Sequence, residues 1–507
     1  MTTTSDAYFR ADRSPARDTD VSSPLLGLIF TASAGLFGGT IAWIASGQAL
    51  FLLQLPLLLF SLFAVMCSGF LYFINPSRWL PFFLLGLVYF SFEFTIRDPR
   101  LGGGFDAQSM IKGVLSLALA MVGIFTAFRK VFATPLLLLF FVYSFMAFLS
   151  SFYSPVMVVG IPAGITLVGV TVVTARLGTG TEEDILKCWR VMYWASVLTC
   201  LLSFAVLAIA PGMSRDMQDP TSFRLRGVTG AANALGPIMA IACVMSILMY
   251  KRTRTAMAKR FHVVMFVLFA IALFLTNSRS SILGLIAGLG VTMLVGSGLG
   301  VLGLLAVLSI GVVAGSVMLY PGLQNALLSW AAALFSRTGE VYELTSFTGR
   351  QGIWQASWQL IDSHPWIGYG LSSVRLILSQ SYFDEWGNTV GTAHNWLLES
   401  LLTVGWIGTA PLIAVVSICL WKLMRYVMST APKLHSVRSL PKAAESPTYA
   451  YRDLGLCACQ TVLIMVVQGF SEKGFAGHPS SSFLALGAVV ATTTFLALNR
   501  PTRPAAP

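Results

Sequence analysis

The chain has 507 residues, of which 56% are hydrophobic and only 11% charged, and its mean hydropathy is +0.75. Soluble domains carry roughly 25% charged residues, so this composition excludes a soluble enzyme and defines an all-α polytopic integral membrane protein. The net charge of +12 would suit nucleic acid, but the charges sit at the ends of apolar runs, which excludes that partner and points to membrane lipid.

Residues 1–24 are polar, with Arg10, Arg13 and Arg17 balanced by Asp6, Asp12, Asp18 and Asp20, and read as a cytoplasmic tail before an uncleaved first anchor. Residues 25–320 then hold eleven apolar runs: Leu25–Ser46, Ala49–Ile74, Trp79–Ile96, Ser109–Phe128, Thr134–Phe152, Val156–Ala175, Val191–Ala210, Ala231–Tyr250, Phe261–Thr276, Ser280–Gly296 and Val301–Tyr320. Residues 321–394 form one large outer loop. Residues 395–498 carry the C-terminal spans Asn395–Leu420, Leu454–Phe470 and Ser481–Ala497, and 499–507 form a second cytoplasmic tail. Each run has, or nearly has, the ~20 residues that a helix needs to cross hydrocarbon. The expectation is about 12–14 transmembrane helices.

Orientation follows from Lys and Arg. With the N-terminus inside and the spans alternating, 22 of the 33 fall on the inner side, including the runs Lys251–Arg260 and Lys422–Arg452. Both termini are then cytoplasmic. Arg224, Arg226, Arg279, the large loop and His394 all fall on the outer face, so three separate parts of the chain bring unusual polar residues to one side. The seven Cys lie almost entirely within apolar runs, and Cys457-Ala-Cys459 lacks a matching cluster, so neither a disulfide framework nor a zinc site is indicated.

The chemistry centres on Thr392-Ala-His-Asn-Trp396, which opens the apolar run to Leu420. An imidazole at a helix mouth can take a proton at neutral pH, which an alcohol needs before it attacks an activated carbon; a lone His there would more simply cap the helix. Arg224 and Arg226 lie in Phe223-Arg-Leu-Arg-Gly227, and Arg279 in Thr276-Asn-Ser-Arg-Ser280. Arginine at the edge of an apolar helix is costly unless paired or functional, and its planar fork grips phosphate in a bidentate way. In the outer loop Ile353, Trp354, Ser357, Trp358 and Ile361 are helically spaced, predicting an amphipathic helix with an aromatic face at the membrane surface. Glu93 and Lys112, within spans near the outer end, could pair.

Three motifs carry a family likeness: Arg226-Gly with Asn233, Arg279 with Leu283, and His394-Asn395 followed by Gly405 and Gly408. Arg350 with Trp354 and Pro365-Trp-Ile-Gly-Tyr-Gly370 add to it. Together, from Arg224 to Gly408, they resemble the bacterial O-antigen ligase and O-antigen polymerase superfamily. The resemblance implies a glycosyltransferase of the inner membrane, with its active site on the periplasmic face and no cofactor or metal. It implies an undecaprenyl-pyrophosphate-linked glycan as donor, and a second glycan or lipid A core as acceptor. His394 is then the base, and Arg226 or Arg224, with Arg279, holds the pyrophosphate. Arg350, Asn395, Trp354 and Glu399 are further candidates at the substrate. Polymerase and ligase share these motifs, and Arg226-Gly through Asn233-Ala-Leu-Gly236 reads most like exopolysaccharide polymerases. A transporter or flippase is the alternative from another class. It would call for internal repeats and broken helices lined by polar groups in mid-membrane, and the sequence shows no repeat.

Overall fold

In the computed structural model, residues 80–95, 107–216, 223–296, 350–383, 390–430 and 451–499 are described. The expected tails, the runs Leu25–Ser46, Ala49–Ile74 and Val301–Tyr320, and loop residues 321–349 lie outside them. Among the described residues everything regular is helical, and isolated bridges join Phe94 to Thr229 and Arg215 to Leu225.

The helices run in chain order as α1 (Leu80–Glu93), α2 (Ala107–Ala127), α3 (Pro135–Ser150), α4 (Met157–Gly178), α5 (Glu182–Ile209) and the single turn α6 (Pro211–Ser214). They continue as α7 (Ala232–Arg252), α8 (Ala256–Leu275), α9 (Arg279–Gly296), α10 (Arg350–Ser363), α11 (Val374–Ser381), α12 (Trp396–Ser429), α13 (Arg452–Gly469) and α14 (Ser481–Leu498). Six of the described helices, α4, α5, α7, α8, α12 and α14, are long and apolar enough to cross a membrane. This is an all-α polytopic membrane protein.

The starts follow local chemistry. Helix α5 begins well ahead of the expected Val191, because Thr181 forms a capping box with Asp184 and three acidic residues fill the first turn. Thr134 caps α3 ahead of Pro135, and Ser480 caps α14 by accepting from the Phe483 amide. Helices α7 and α14 are buried almost throughout and form the axis of the bundle, while α8 lies at its rim.

Alternation places two opposite ends on the bundle. At one, Lys251 meets Asp453 at 3.0 Å and Arg252 meets Glu182 at 2.7 Å, tying α7 to α13 and α5. At the other, the last residues of α1, α5, α8 and α13 meet the first residues of α7, α9, α12 and α14. Glu93 there accepts from the Ser481 amide and hydroxyl at 3.2 and 3.1 Å, and Lys112 donates to the Phe92 carbonyl at 3.1 Å.

One expected span is different in kind. The run from Asn395 is broken at Gly405 (φ 61°, ψ −169°) and then continues to Ser429. The loop Pro365–Gly370 enters the break: Tyr369 and Gly370 donate to the Leu402 and Thr403 carbonyls at 2.7 and 2.9 Å, and Trp406 and Ile407 donate to Pro365 and Trp366 at 2.8 and 3.2 Å. Those bonds satisfy backbone groups that the break would otherwise orphan in an apolar setting. The leading piece, Trp396–Val404, becomes a separate short helix. It shares a small core with α10 and α11 built on Ile361, Leu378, Leu398 and Leu402.

Candidate active site

The end of the bundle opposite the paired lysine and arginines carries a connected polar network. Its hub is Glu472, in the turn between α13 and α14, which is 7% exposed. His394 Nδ1 lies 3.1 Å from Glu472 Oε2. Arg350, the first residue of α10, donates to Oε1 at 2.5 Å, and Asn233 Nδ2 donates to the same oxygen at 2.7 Å. Arg224 in turn donates to Asn233 Oδ1 and, through Nε, to the Thr276 carbonyl at 3.2 Å. Behind it Asp216 stands 3.9 Å from Arg224 and accepts from the Ala232 amide at 3.0 Å.

Burial alone would push the Glu472 carboxyl up; the charges of Arg350, His394 and Arg224 outweigh it and hold the group below its ordinary value. Glu472 is therefore ionised at neutral pH. Its negative charge is what permits three cationic or potentially cationic side chains to gather in a largely buried place.

The backbone around His394 is set independently. Asn395 caps α12, its Oδ1 accepting from the Leu397 and Leu398 amides at 2.9 and 3.2 Å, while its Nδ2 donates to the Phe470 carbonyl at 3.2 Å. The cap is thus Asn395, and the imidazole is left for another role. Glu399, 5% exposed, accepts from the Ala393 amide at 2.9 Å, and His394 itself adopts φ 47°. A non-glycine residue in that region costs of order 1 kcal/mol and persists only where its surroundings impose it, as the two neighbouring anchors do here.

The structure thus brings His394, Asn395, Glu399, Arg350 and Arg224 together. Arg226 is equally buried at 6%, but its Nε donates to the Met213 carbonyl at 2.9 Å, turned toward α6. Arg224 is linked to His394 through Asn233 and Glu472. Arg279 opens α9, just past the Thr276 carbonyl that Arg224 uses and past Asn277, another non-glycine residue at positive φ. Trp354 packs on the small core beneath the His394 turn. The face of α10 that is buried is Ile353, Ser357 and Ile361, and Trp358 points outward at 44% exposure, so the expected aromatic face is split. Sequence reasoning missed Glu472 and Asp216.

Fold and site together define a multi-pass membrane protein with an arginine–histidine–carboxylate centre at one end of its helix bundle. Residues 264–413 match the family model described as O-antigen ligase, a likeness that supports the O-antigen ligase/polymerase superfamily, whose members are glycosyltransferase-type enzymes. No curated protein matches the chain. The matched segment contains Arg279, Arg350, His394, Glu399 and Gly405; Arg224, Asn233 and Glu472 join the site from outside it.

Proposed function

We propose that the protein transfers polyprenyl-diphosphate-linked glycan repeats at the periplasmic face of a bacterial inner membrane, as an O-antigen or exopolysaccharide polymerase. The observation that carries this reading is the convergence of His394, Arg350 and Arg224 through Glu472 and Asn233, at the end away from the Lys/Arg-rich loops. The acceptor hydroxyl attacks the anomeric carbon of the donor while its proton passes to His394. The bond from that carbon to the diphosphate breaks, and the electron pair leaves with the polyprenyl diphosphate. Direct displacement inverts the anomeric centre. Arginines, with Arg279 at the α9 start, neutralise the departing diphosphate, so the arrangement asks for no metal or cofactor.

A ligase joining the glycan to lipid A core uses the same machinery, and the matched family model carries that description without separating the two activities. The transporter reading asks for a broken helix, and α12 is one; but the carbonyls freed at Gly405 are taken up by Pro365–Gly370, which leaves them unavailable to a cargo.

The test is transfer by purified protein in lipid, with a synthetic polyprenyl-diphosphate oligosaccharide as donor. Ladder formation from donor alone supports the polymerase, and product only with lipid A core supports the ligase. His394→Gln, which leaves the Asn395 cap intact, should lower the rate by ~10²–10⁴-fold. An active Gln variant with wild-type rate overturns the assignment of the base.

A further inference from the structure

The contact between His394 and Glu472 fixes more than position. An ionised carboxylate can only accept, so a hydrogen bond to His394 Nδ1 requires the hydrogen to sit on Nδ1. In the neutral ring that leaves the lone pair on Nε2. No hydrogen bond from Nε2 is present among the described residues. The His394 side chain is 29% exposed, against 9% for Glu472. The nitrogen free to take a proton is thus on the more accessible side of the pair.

The carboxylate cannot swing away from this duty. Its other oxygen is held by Arg350 and Asn233 together, from α10 and α7, while Glu399 fixes the peptide just ahead of His394. Four separate stretches of chain therefore converge on the orientation of one imidazole.

We propose that Glu472 is a positioning residue that holds His394 in the Nδ1–H tautomer and aims Nε2 at the acceptor hydroxyl. The proposal rests on His394 acting as the base. During transfer the hydroxyl proton moves to Nε2, the Nδ1 hydrogen stays where it is, and Glu472 stabilises the imidazolium without taking its proton. The same carboxylate couples the base to Arg350, so one anion organises both a proton acceptor and a phosphate-binding cation.

Glu472→Gln tests this at constant shape. The amide oxygen can still accept from Arg350 and Asn233, but the amide nitrogen then donates to Nδ1 and drives the ring hydrogen onto Nε2. Protein labelled with ¹⁵N-histidine and reconstituted in lipid reports the tautomer directly, with the His394 signal assigned by its loss in His394→Ala. The wild type should show Nδ1–H and Glu472→Gln should show Nε2–H, with turnover down ~10²–10⁴-fold and donor affinity within a few-fold of wild type. Glu472→Asp, which keeps a carboxylate, should retain Nδ1–H and recover part of the rate. Wild-type turnover in Glu472→Gln, or an unchanged tautomer, overturns the proposal. Should the Gln variant fail to fold, Glu472→Asp decides: an Nε2–H ring in a folded Asp variant overturns it. If His394→Gln is fully active the base reading fails instead, and the tautomer spectrum still reads what Glu472 does.

Discussion

Replacing Gly405 by alanine should damage the site without touching any reacting group. Gly405 sits at φ 61°, ψ −169°, a region essentially reserved for glycine, where a side chain costs ~1–3 kcal/mol. Space makes matters worse: an added Cβ would stand 2.2 Å from the Trp366 carbonyl carbon and 2.4 Å from the Ile367 nitrogen. Both are backbone atoms, so no side chain can rotate away, and the Pro365–Gly370 loop has to leave the break. Its four hydrogen bonds at 2.7–3.2 Å go with it, each worth roughly 1 kcal/mol net. Loop displacement is therefore the larger effect, and the whole change should cost ~5–7 kcal/mol. The short helix Trp396–Val404 loses its fixed angle to the rest of α12, and His394 and Glu399 ride on that helix. We expect Gly405→Ala to lower the apparent unfolding midpoint in detergent and to reduce turnover in the lipid-reconstituted transfer assay. Gly290→Ala is the control, since a Cβ at Gly290 on α9 meets nothing within 4 Å; it should be neutral or slightly stabilising. Equal midpoints and equal turnover for the two variants would refute the view that the loop is a structural wedge.

Two further outcomes follow from the charges. Arg279→Lys keeps the positive charge but not the bidentate fork, so it should lose most activity at matched membrane levels; near-normal turnover would make Arg279 an interfacial anchor only. Glu472, held below its ordinary carboxyl value, stabilises the fold above the unfolded-state value, and that contribution is lost as pH falls through the folded one. The apparent unfolding midpoint should therefore drop between pH 7 and the acid side of ~4, and drop less in Arg350→Leu, where the largest opposing charge is gone; identical acid losses would place the effect elsewhere.

What the sequence disclosed follows a physical pattern. Helix spans are legible because crossing hydrocarbon demands a continuous apolar run, and α7 and α9 start within a residue of their expected positions. His394 and Arg224 stood out because polar groups at the edge of apolar helices are rare, and the alternation of spans put them on one face; Arg350 was marked only by the likeness of its loop to the family's. Asn395 as the cap could be read from its type and place. The link from Arg224 through Asn233 and Glu472 to His394 could not, because it depends on how distant stretches of chain meet.

Glu472 and the break at Gly405 were hidden for a common reason. In the sequence, Ser471-Glu-Lys473 follows the apolar run to Phe470 and has the look of a solvated turn, with nothing periodic to mark the glutamate. Its importance lies in three partners, at positions 233, 350 and 394, each on a different element. The break likewise arises from bonds between residues 365–370 and 402–407, which local hydropathy cannot register. One signal was available for each. Gly405 and Gly408 in an apolar run, matched with the Pro-Trp-Ile-Gly-Tyr-Gly stretch, mark two backbones that approach closely. An acidic residue on the face where arginines gather, at the mouth of a span, is the countercharge that buried guanidinium groups need. Outer-face arginines in such a chain are therefore best read as a demand for an anion, and the search for that anion should include turns as well as helix edges.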